Sequence, residues 1–411
     1  MGLVLISHLL WQDPRCATSY LGAMAQQDFR MIAQTMFGLE AVLAKELLQL
    51  GARDIQELNR AVAFTGDMGT MYKANLCLRT ALRVLVPIET FSMRSQRDLY
   101  AGIHRIGWER FMDAQDTLAV HCTLNTTIFN HSQYAAQMAK DAIVDRFRGR
   151  SGRRPSVDLD RPTLAIHLYL DRDQCHVSLD SSGGSLHRRG YRSRTNLAPI
   201  NEVLAAGLVL LSGWDGRSCL VDPMCGSGTI LIEAALYAAN IPPGYYREQF
   251  GFQRWKDHDE ELWQRIYEAA MDRIHEERPR IIGGEISRNV SRKAVANIHD
   301  AKLEDTVIVM HRAFADLEPP ADRGILIMNP PYGERMDKDE DIFAFYKMIG
   351  DTLKRRWAGF DAWVLTSNLE AAKHIHLAQK RRIPLYNGSL ECRFLRFELY
   401  SGTRKPSKPQ R

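Results

Sequence analysis

Apolar strand-like segments alternate with amphipathic helical segments at regular intervals from residue 199 to about residue 400. This alternation constrains the fold more than any other feature of the chain, because successive βα units place helices on both faces of a mostly parallel sheet. We therefore predict that residues 201–400 form an α/β domain with a doubly wound, Rossmann-like sheet. Such sheets bind ligands at the carboxyl ends of their strands, so residues that directly follow a predicted strand are candidate site residues.

The preceding part of the chain has a different texture. Short strand-like and helical segments alternate over residues 28–90, and a second such unit covers residues 91–182. The sequence thus predicts two small α+β domains, followed by a linker over residues 183–200. We expect an extension over residues 1–27 and a basic tail over residues 401–411 to be poorly ordered, since neither carries a regular apolar pattern.

Composition excludes several classes of protein. The chain has 54 Lys and Arg against 49 Asp and Glu, and a net charge of +5 permits a polyanionic partner without requiring one. Its seven cysteines include no Cys-x-x-Cys pair, which argues against a disulfide framework or a zinc site and favours a reducing cytoplasm. No apolar run approaches the roughly 18 residues that span a bilayer, so we expect no membrane association.

Arginines cluster on either side of the second small domain. A charge run of this kind is often only a solvated loop, but two runs beside one domain favour contact with a phosphate backbone. The candidate contact residues are Arg146, Arg148, Arg150, Arg153, Arg154, Arg189 and Arg192.

A glycine-rich loop joins a predicted strand and helix over residues 220–229. Gly226 and Gly228 allow the backbone to approach a ligand closely. Asp222-Pro223 stands in place of the first glycine of a dinucleotide fingerprint, and no basic residue follows for a triphosphate. An acidic residue before such a loop suits a ligand with an ammonium group and a ribose, and S-adenosylmethionine is the obvious candidate.

Two later strands also end near carboxylates. Glu285 ends the strand that begins at Ile281 and is placed to accept hydrogen bonds from ribose hydroxyls. Asp316 follows the strand over residues 307–310 and is the one candidate to reach an adenine amine. Cys225, inside the glycine loop, is interpreted as a packing residue and not as a nucleophile.

The apolar run over residues 325–328 ends in Asn329-Pro330-Pro331-Tyr332. The prolines fix φ and hold the preceding carbonyls in a rigid direction. The Asn329 side-chain oxygen and the Pro330 carbonyl are then two acceptors for a planar NH2 group, with the Tyr332 ring stacked behind it. Such acceptors localise the amine lone pair and aim it at an electrophile. A simple turn that closes a strand is the alternative interpretation of this motif taken alone.

Taken together, these motifs resemble the class I, S-adenosylmethionine-dependent RNA guanine-N2 methyltransferases that carry an N-terminal THUMP domain. The resemblance covers roughly residues 28–400, is nearest to enzymes acting on 23S ribosomal RNA, and implies a ferredoxin-like domain before the THUMP domain. It includes the segment around Arg189 and Arg192, and the segment that contains Pro199 and Glu202. The resemblance implies that Asp222, Gly226 and Gly228 lie around the methionine part of the cofactor and that Glu285 holds its ribose, with Pro199, Glu202 and Pro223 as further cofactor-binding residues. It implies catalysis by Asn329, Pro330 and Tyr332. Arg312-Ala313 departs from the expected Lys-Asp pair, which Asp316 would replace, and no metal is implied.

Other functions remain open at this point. A tRNA guanine-N2 methyltransferase is the nearest alternative, because THUMP domains occur there too. Protein glutamine and DNA adenine-N6 methylation use similar turns, but they do not explain the basic α+β half of the chain. A ribosome assembly factor with an inactive methyltransferase sheet is the non-enzymatic alternative, and the intact motifs argue against it.

Overall fold

The computed structural model describes residues 27–192, 200–276, 279–333 and 341–400. Within these ranges the chain forms two compact units. The first contains residues 27–34, 44–186 and 247–268, and the second contains residues 35–43, 187–246 and 269–400. No helix in the described ranges is long and apolar enough to cross a bilayer.

The first unit is built on one eight-stranded sheet. Its strands run in the spatial order β2-β3-β1-β4-β8-β7-β5-β6, and among these described strands only β5 pairs in parallel, with β6 and β7. The strands are β1 (Phe29–Gln34), β2 (Arg53–Leu58), β3 (Ala61–Gly66), β4 (Arg83–Ser92), β5 (Thr117–Asn125), β6 (Ser156–Val157), β7 (Leu164–Asp171) and β8 (Gln174–Asp180). The helices in this part of the chain are α1 (Glu40–Gln49), α2 (Met68–Cys77), α3 (Gln96–Arg105) and α4 (Ser132–Ser151).

Pairing of β4 with β8 makes this sheet continuous. Leu85 lies opposite Asp180 and Val86 opposite Leu179, so the two α+β segments predicted from the sequence share a single sheet. The sequence shows each segment's local pattern but not this pairing, since the partners are almost a hundred residues apart.

The second unit contains the predicted doubly wound sheet. Strands β9 to β13 pair in parallel in the order β11-β10-β9-β12-β13, and β15 and β14 add an antiparallel hairpin at one edge. The strands are β9 (Cys219–Asp222), β10 (Ile281–Gly284), β11 (Val307–Met310), β12 (Gly324–Met328), β13 (Phe360–Thr366), β14 (Gln379–Asn387) and β15 (Leu390–Glu398). The remaining helices of the described chain are α5 (Glu202–Leu211), α6 (Thr229–Ala238), α7 (Glu260–Met271), α8 (Arg288–Asp300), α9 (Ile342–Arg356) and α10 (Leu369–Lys373).

Strand order brings two predicted motifs to one place. Chain order reverses between β9 and β12, which are neighbours with Leu220 opposite Ile325 and Val221 opposite Leu326. Val221, Leu326 and Met328 are fully buried in the core of this unit, as expected for parallel strands covered on both faces. The loop after Asp222 and the turn at Asn329 therefore leave the same edge of the sheet, on strands about 4.8 Å apart.

One segment departs from the predicted domain boundary. Residues 247–268 lie within the predicted domain of residues 201–400, but they cluster with the first unit. Phe252 stacks on Tyr72 of α2 with ring centroids 4.3 Å apart, and its N–H donates to the Ser181 carbonyl at 2.8 Å. These aromatic and backbone contacts therefore join the segment to the first unit, although the residues before and after it in the sequence belong to the second.

Candidate active site

The glycine loop after β9 has the backbone shape that the sequence predicts. Gly226 and Gly228 have φ of +55° and +83°, in the left-handed region that side chains other than glycine rarely adopt. The Cys225 N–H donates to the Gly284 carbonyl at 2.9 Å, and the Asn297 side chain of α8 donates to the Ser227 carbonyl at 3.1 Å. Contacts from both β10 and α8 therefore fix the loop between β9 and α6.

Asp222 and Glu285 are two carboxylates at neighbouring strand ends. Asp222 is 1% exposed, and its carboxylate accepts a hydrogen bond from the Met224 N–H at 3.1 Å. Burial, with a smaller contribution from the nearby negative charge of Glu285, raises the pKa of Asp222 to about 8. No cationic side chain offsets this burial among the described residues. A buried carboxyl group without a protein cation is suited to a ligand that brings positive charge.

Glu285 is tied to the loop itself. Its carboxylate accepts from the Gly226 N–H at 3.1 Å and from the Ser287 N–H at 2.8 Å. A carboxylate has about four lone-pair directions, so two remain for hydroxyl groups of a ligand. This geometry fits the predicted ribose site.

The residues that follow β11 show fewer contacts that would indicate a ligand site. Asp316 closes a short 3-10 helix over residues 314–316 and is exposed, and its backbone N–H donates to the Ala313 carbonyl at 3.0 Å. No described residue bonds to its side chain. The role of Asp316 at an adenine edge stays a prediction.

The turn after β12 is an ordered polar cluster. The Tyr332 hydroxyl donates to the Asn329 side-chain oxygen at 2.6 Å, and the tyrosine ring is half-buried. Burial raises the pKa of Tyr332 above its usual range, so the hydroxyl keeps its proton. Pro330 is buried, and its carbonyl accepts no hydrogen bond from the described part of the chain. One acceptor of the predicted pair is thus open, and the other already holds one hydrogen bond.

Three residues that were not predicted from the sequence form hydrogen bonds that hold this turn. Asn368 donates to the Tyr332 carbonyl at 3.0 Å, and Tyr346 donates to the Pro331 carbonyl at 3.3 Å. Asn387, at the end of β14, donates to the Tyr332 hydroxyl at 3.2 Å. Asn368 has a sequence signal of the kind used for Asp222, since it lies just beyond a strand. Asn387-Gly388 instead has the sequence of a hairpin turn, so the sequence gives no reason to assign Asn387 a further role.

Arg192 forms internal contacts of the second unit. Its guanidinium pairs with Glu202 at 3.3 Å and donates to the Thr229 hydroxyl at 2.8 Å. Thr229 directly follows the glycine loop, so Glu202 is linked to that loop through Arg192. Burial raises the pKa of Glu202, and its second oxygen has no hydrogen-bond partner among the described residues. Glu202 remains a proposed cofactor contact, and Pro199 lies outside the described residues.

Arg189 does not belong to an RNA-contacting surface. Its side chain is 2% exposed and pairs at 3.3 Å with Glu233, whose side chain is fully buried. The Tyr191 hydroxyl also donates to Glu233, at 2.9 Å. The prediction that Arg189 contacts RNA is therefore inconsistent with its burial in an internal ion pair, whereas RNA contact by Arg192, whose side chain is 14% exposed, stays a prediction. The sequence displays the charge of Arg189 but not the distant carboxylate of Glu233 that neutralises it.

The other arginine cluster divides into paired and free residues. Arg146, Arg148 and Arg150 lie in the last turns of α4 and not in a loop, and α4 ends at Ser151 with Gly152 as its C-cap. Arg146 and Arg150 pair with Glu109, and Arg148 pairs with Asp145. Arg146 is mostly buried and also donates to the His104 carbonyl at 2.9 Å. Arg153 and Arg154 are exposed and form no ion pair with any described residue.

Comparison with known families gives three matches in chain order. Residues 30–85 match an RlmL ferredoxin-like domain, residues 94–180 a THUMP domain, and residues 189–396 an RMKL-like methyltransferase domain. The predicted fold class and domain types are therefore confirmed. Our domain boundaries remain predictions. No group of three His, Cys, Asp or Glu side chains suited to a metal occurs among the residues described.

Two curated relatives cover most of this chain. The chain is 40% identical to slr0064 of Synechocystis sp., whose name assigns it provisionally to the RNA methyltransferases, over 93% of this chain and 99% of that protein. It is 41% identical to a ribosomal RNA large subunit methyltransferase K/L of Syntrophotalea carbinolica, over 90% of this chain and 54% of that protein. The chain thus spans about half the length of this K/L relative.

Two solved structures are similar to this chain over most of its length. SMU.472, solved in complex with S-adenosylhomocysteine, superposes with a TM-score of 0.82 at 30% identity and covers 92% of this chain and 100% of its own. A Listeria monocytogenes protein described as a predicted N6-adenine-specific DNA methylase superposes with a TM-score of 0.80 at 30% identity, over 93% of this chain and 99% of its own. The names of these similar proteins agree on methyl transfer and differ on the acceptor.

Proposed function

Because this chain belongs to the family with the RMKL-like methyltransferase domain, we propose that it transfers a methyl group from S-adenosylmethionine to the exocyclic N2 amine of a guanine in 23S ribosomal RNA. The Asn329–Tyr332 turn, which leaves the sheet beside the glycine loop, is the observation that supports an amine as the methyl acceptor. Methyl transfer is the family's activity; the guanine and the RNA are our proposal.

The chain's residues fit the cofactor. The buried Asp222 carboxyl, with no cationic protein neighbour among the described residues, suits the positive charge of the methionine part, and the open lone pairs of Glu285 suit a ribose. Gly226 and Gly228 leave room for close approach of the ligand. The bound cofactor supplies a sulfonium methyl group that is already activated for transfer.

The remaining task of the protein is to position and polarise the acceptor. The Pro330 carbonyl and the Asn329 oxygen would each accept one hydrogen of the target NH2. Two such bonds would favour a pyramidal nitrogen with an exposed lone pair, and they would stabilise the positive charge that develops on nitrogen until one of its protons is released to solvent. The base must leave its stack to reach the turn, so a loop or an opened helix is the proposed substrate.

The THUMP segment favours RNA over DNA and protein as the acceptor, and the names of the K/L relatives favour ribosomal RNA over tRNA. The exposed Arg153 and Arg154 supply positive charge on the first unit for a phosphate backbone. The turn itself would hold guanine or adenine equally well, so the choice of guanine rests on family resemblance. We place the enzyme in the cytoplasm, where such RNA is found in bacteria.

A methylation assay with isotope-labelled cofactor tests the proposal. The purified chain is incubated separately with 23S ribosomal RNA, 16S ribosomal RNA, tRNA and duplex DNA, and the products are digested to nucleosides for mass spectrometry. We expect N2-methylguanosine in 23S RNA alone. Label confined to tRNA would favour the tRNA enzyme, and N6-methyladenine in DNA would overturn the choice of base and of nucleic acid.

A further inference from the structure

Three side chains form a directed hydrogen-bond chain at the turn. Asn387 Nδ2 donates to the Tyr332 hydroxyl oxygen at 3.2 Å, and that hydroxyl donates to Asn329 Oδ1 at 2.6 Å. The Cys392 thiol of β15 lies 3.8 Å from the same hydroxyl. Asn387 and Cys392 come from the β14–β15 hairpin, 55 and 60 residues after Tyr332.

The direction of this chain follows from the chemistry of its members. A tyrosine hydroxyl has one hydrogen to donate. Because Asn387 presents an N–H to the hydroxyl oxygen, the hydroxyl hydrogen is directed to Asn329. Asn329 must then present its oxygen, and not its NH2 group, to Tyr332. The hydrogen-bond chain therefore fixes the orientation of the Asn329 side-chain amide.

That orientation matters for the acceptor site. A carbonyl oxygen has two lone pairs, so Asn329 Oδ1 can accept from Tyr332 and from a target amine together. An inverted amide would present N–H donors to the NH2 group of the substrate and repel it. The backbone of the turn is held separately, since Asn368 donates to the Tyr332 carbonyl and Tyr346 to the Pro331 carbonyl.

We propose that Asn387 is a positioning residue which, through the Tyr332 hydroxyl, holds the Asn329 side-chain oxygen toward the target amine. This proposal rests on the proposed transfer to an exocyclic amine and adds to it the residue that sets the polarity of the acceptor. The edge hairpin thereby has a part in catalysis without contacting the reacting atoms.

Replacing Asn387 by aspartate tests the polarity directly. Asn387→Asp keeps almost the same size, but its carboxylate competes for the Tyr332 hydrogen that Asn329 otherwise receives. We expect kcat to fall about tenfold or more, the effect of removing one hydrogen bond from the transition state, with the Kd for S-adenosylhomocysteine unchanged. Asn387→Ala should reduce kcat no more than the aspartate variant does. A residue that merely packs would give the opposite order, because aspartate preserves volume.

A double-mutant cycle with Tyr332→Phe provides a second test. This substitution keeps the aromatic ring and removes the hydroxyl that relays the effect of Asn387 to Asn329, which we call the relay. In the Tyr332→Phe background Asn387→Asp should have no further effect on kcat, whereas additive losses would overturn the relay. Asn240→Asp is the matched control, because Asn240 is exposed and its side-chain amide also donates one hydrogen bond, to the Arg273 carbonyl at 3.0 Å. Side-chain amide NMR of Asn329 gives a readout that needs no substrate: its NH2 resonances should shift in Asn387→Asp and stay in place in the control. Unshifted resonances would refute the relay even if the acceptor proved to be another amine, whereas methylation of no amine at all would refute the proposed function alone.

Discussion

The Glu285 carboxylate accepts a hydrogen bond from the Gly226 backbone N–H at 3.1 Å, so the residue after β10 holds the loop that follows β9. The two residues are 59 positions apart in the sequence. Because the proposed ribose site and the proposed methionine site share this contact, a change at Glu285 is expected to affect the binding of both parts of the cofactor.

We predict that Glu285→Gln weakens cofactor binding at least about tenfold, since the amide nitrogen would face one of the two backbone N–H donors and the other hydrogen bond would lose its charge assistance. Isothermal titration with S-adenosylhomocysteine measures the change. Glu304→Gln, at an exposed position, is the matched control. An unchanged Kd in Glu285→Gln would contradict both the ribose role and the role in holding the loop.

Asp222 should give the cofactor-free protein a distinctive pH dependence. Its pKa rises from an ordinary value of 3.8 to about 8 on folding. Between about pH 4 and pH 8 the folded state keeps a proton that the unfolded state has lost, so stability falls as pH rises through this window. Thermal unfolding from pH 5 to pH 9 should therefore show a smaller loss of Tm in Asp222→Asn than in the parent. Parallel curves for the two proteins would show that Asp222 is ionised throughout.

Asn329→Ala should abolish most turnover while cofactor binding stays within about twofold. Loss of one polarising group in a preorganised site typically lowers kcat by about 10² or more. Single-turnover methylation with saturating cofactor and RNA separates this effect from binding. Turnover near that of the parent would remove Asn329 from the mechanism and leave the proline turn as a structural device.

Arg153 and Arg154 are expected to contribute to RNA affinity by neutralising phosphates. The double variant Arg153→Gln/Arg154→Gln should bind RNA more weakly, and the slope of log K against log salt should fall by about 0.7 to 0.9 for each phosphate that is no longer neutralised. Arg355→Gln/Arg356→Gln removes the same charge from exposed positions at the end of α9 and serves as the control. Equal reductions of affinity in the two variants would indicate a general charge effect and not a specific RNA-binding surface.

Arg189→Leu, in contrast, should act on stability. It leaves the Glu233 carboxylate buried without its ion-pair partner, at a cost of about 3 to 5 kcal/mol in the free energy of unfolding. Chemical denaturation measures this cost, and Arg189→Leu/Glu233→Leu should recover part of it. A single variant as stable as the parent would show that the pair contributes little.

The local sequence pattern was sufficient to predict the central strands of the second unit and the main candidate site residues. Apolar runs located β9, β10, β11 and β12, because burial on both faces of a parallel sheet requires continuous apolar segments. Asp222, Glu285 and Asn329 could be chosen as candidates because they follow such runs and carry chemistry that a turn does not need. The family comparison confirms the domain types that these patterns predicted.

Only the tertiary structure decided which charged side chains are exposed without an ion-pair partner and which distant residues contact each other. Arg189 and Arg153 look alike in the sequence, yet one is neutralised by Glu233 and the other is exposed. Asn387 reaches Tyr332, and β4 pairs with β8, across separations at which local pattern carries no information. The physical reason is that side-chain type and periodicity are properties of neighbouring residues, whereas ion pairing, hydrogen-bond direction and strand pairing depend on how distant segments pack.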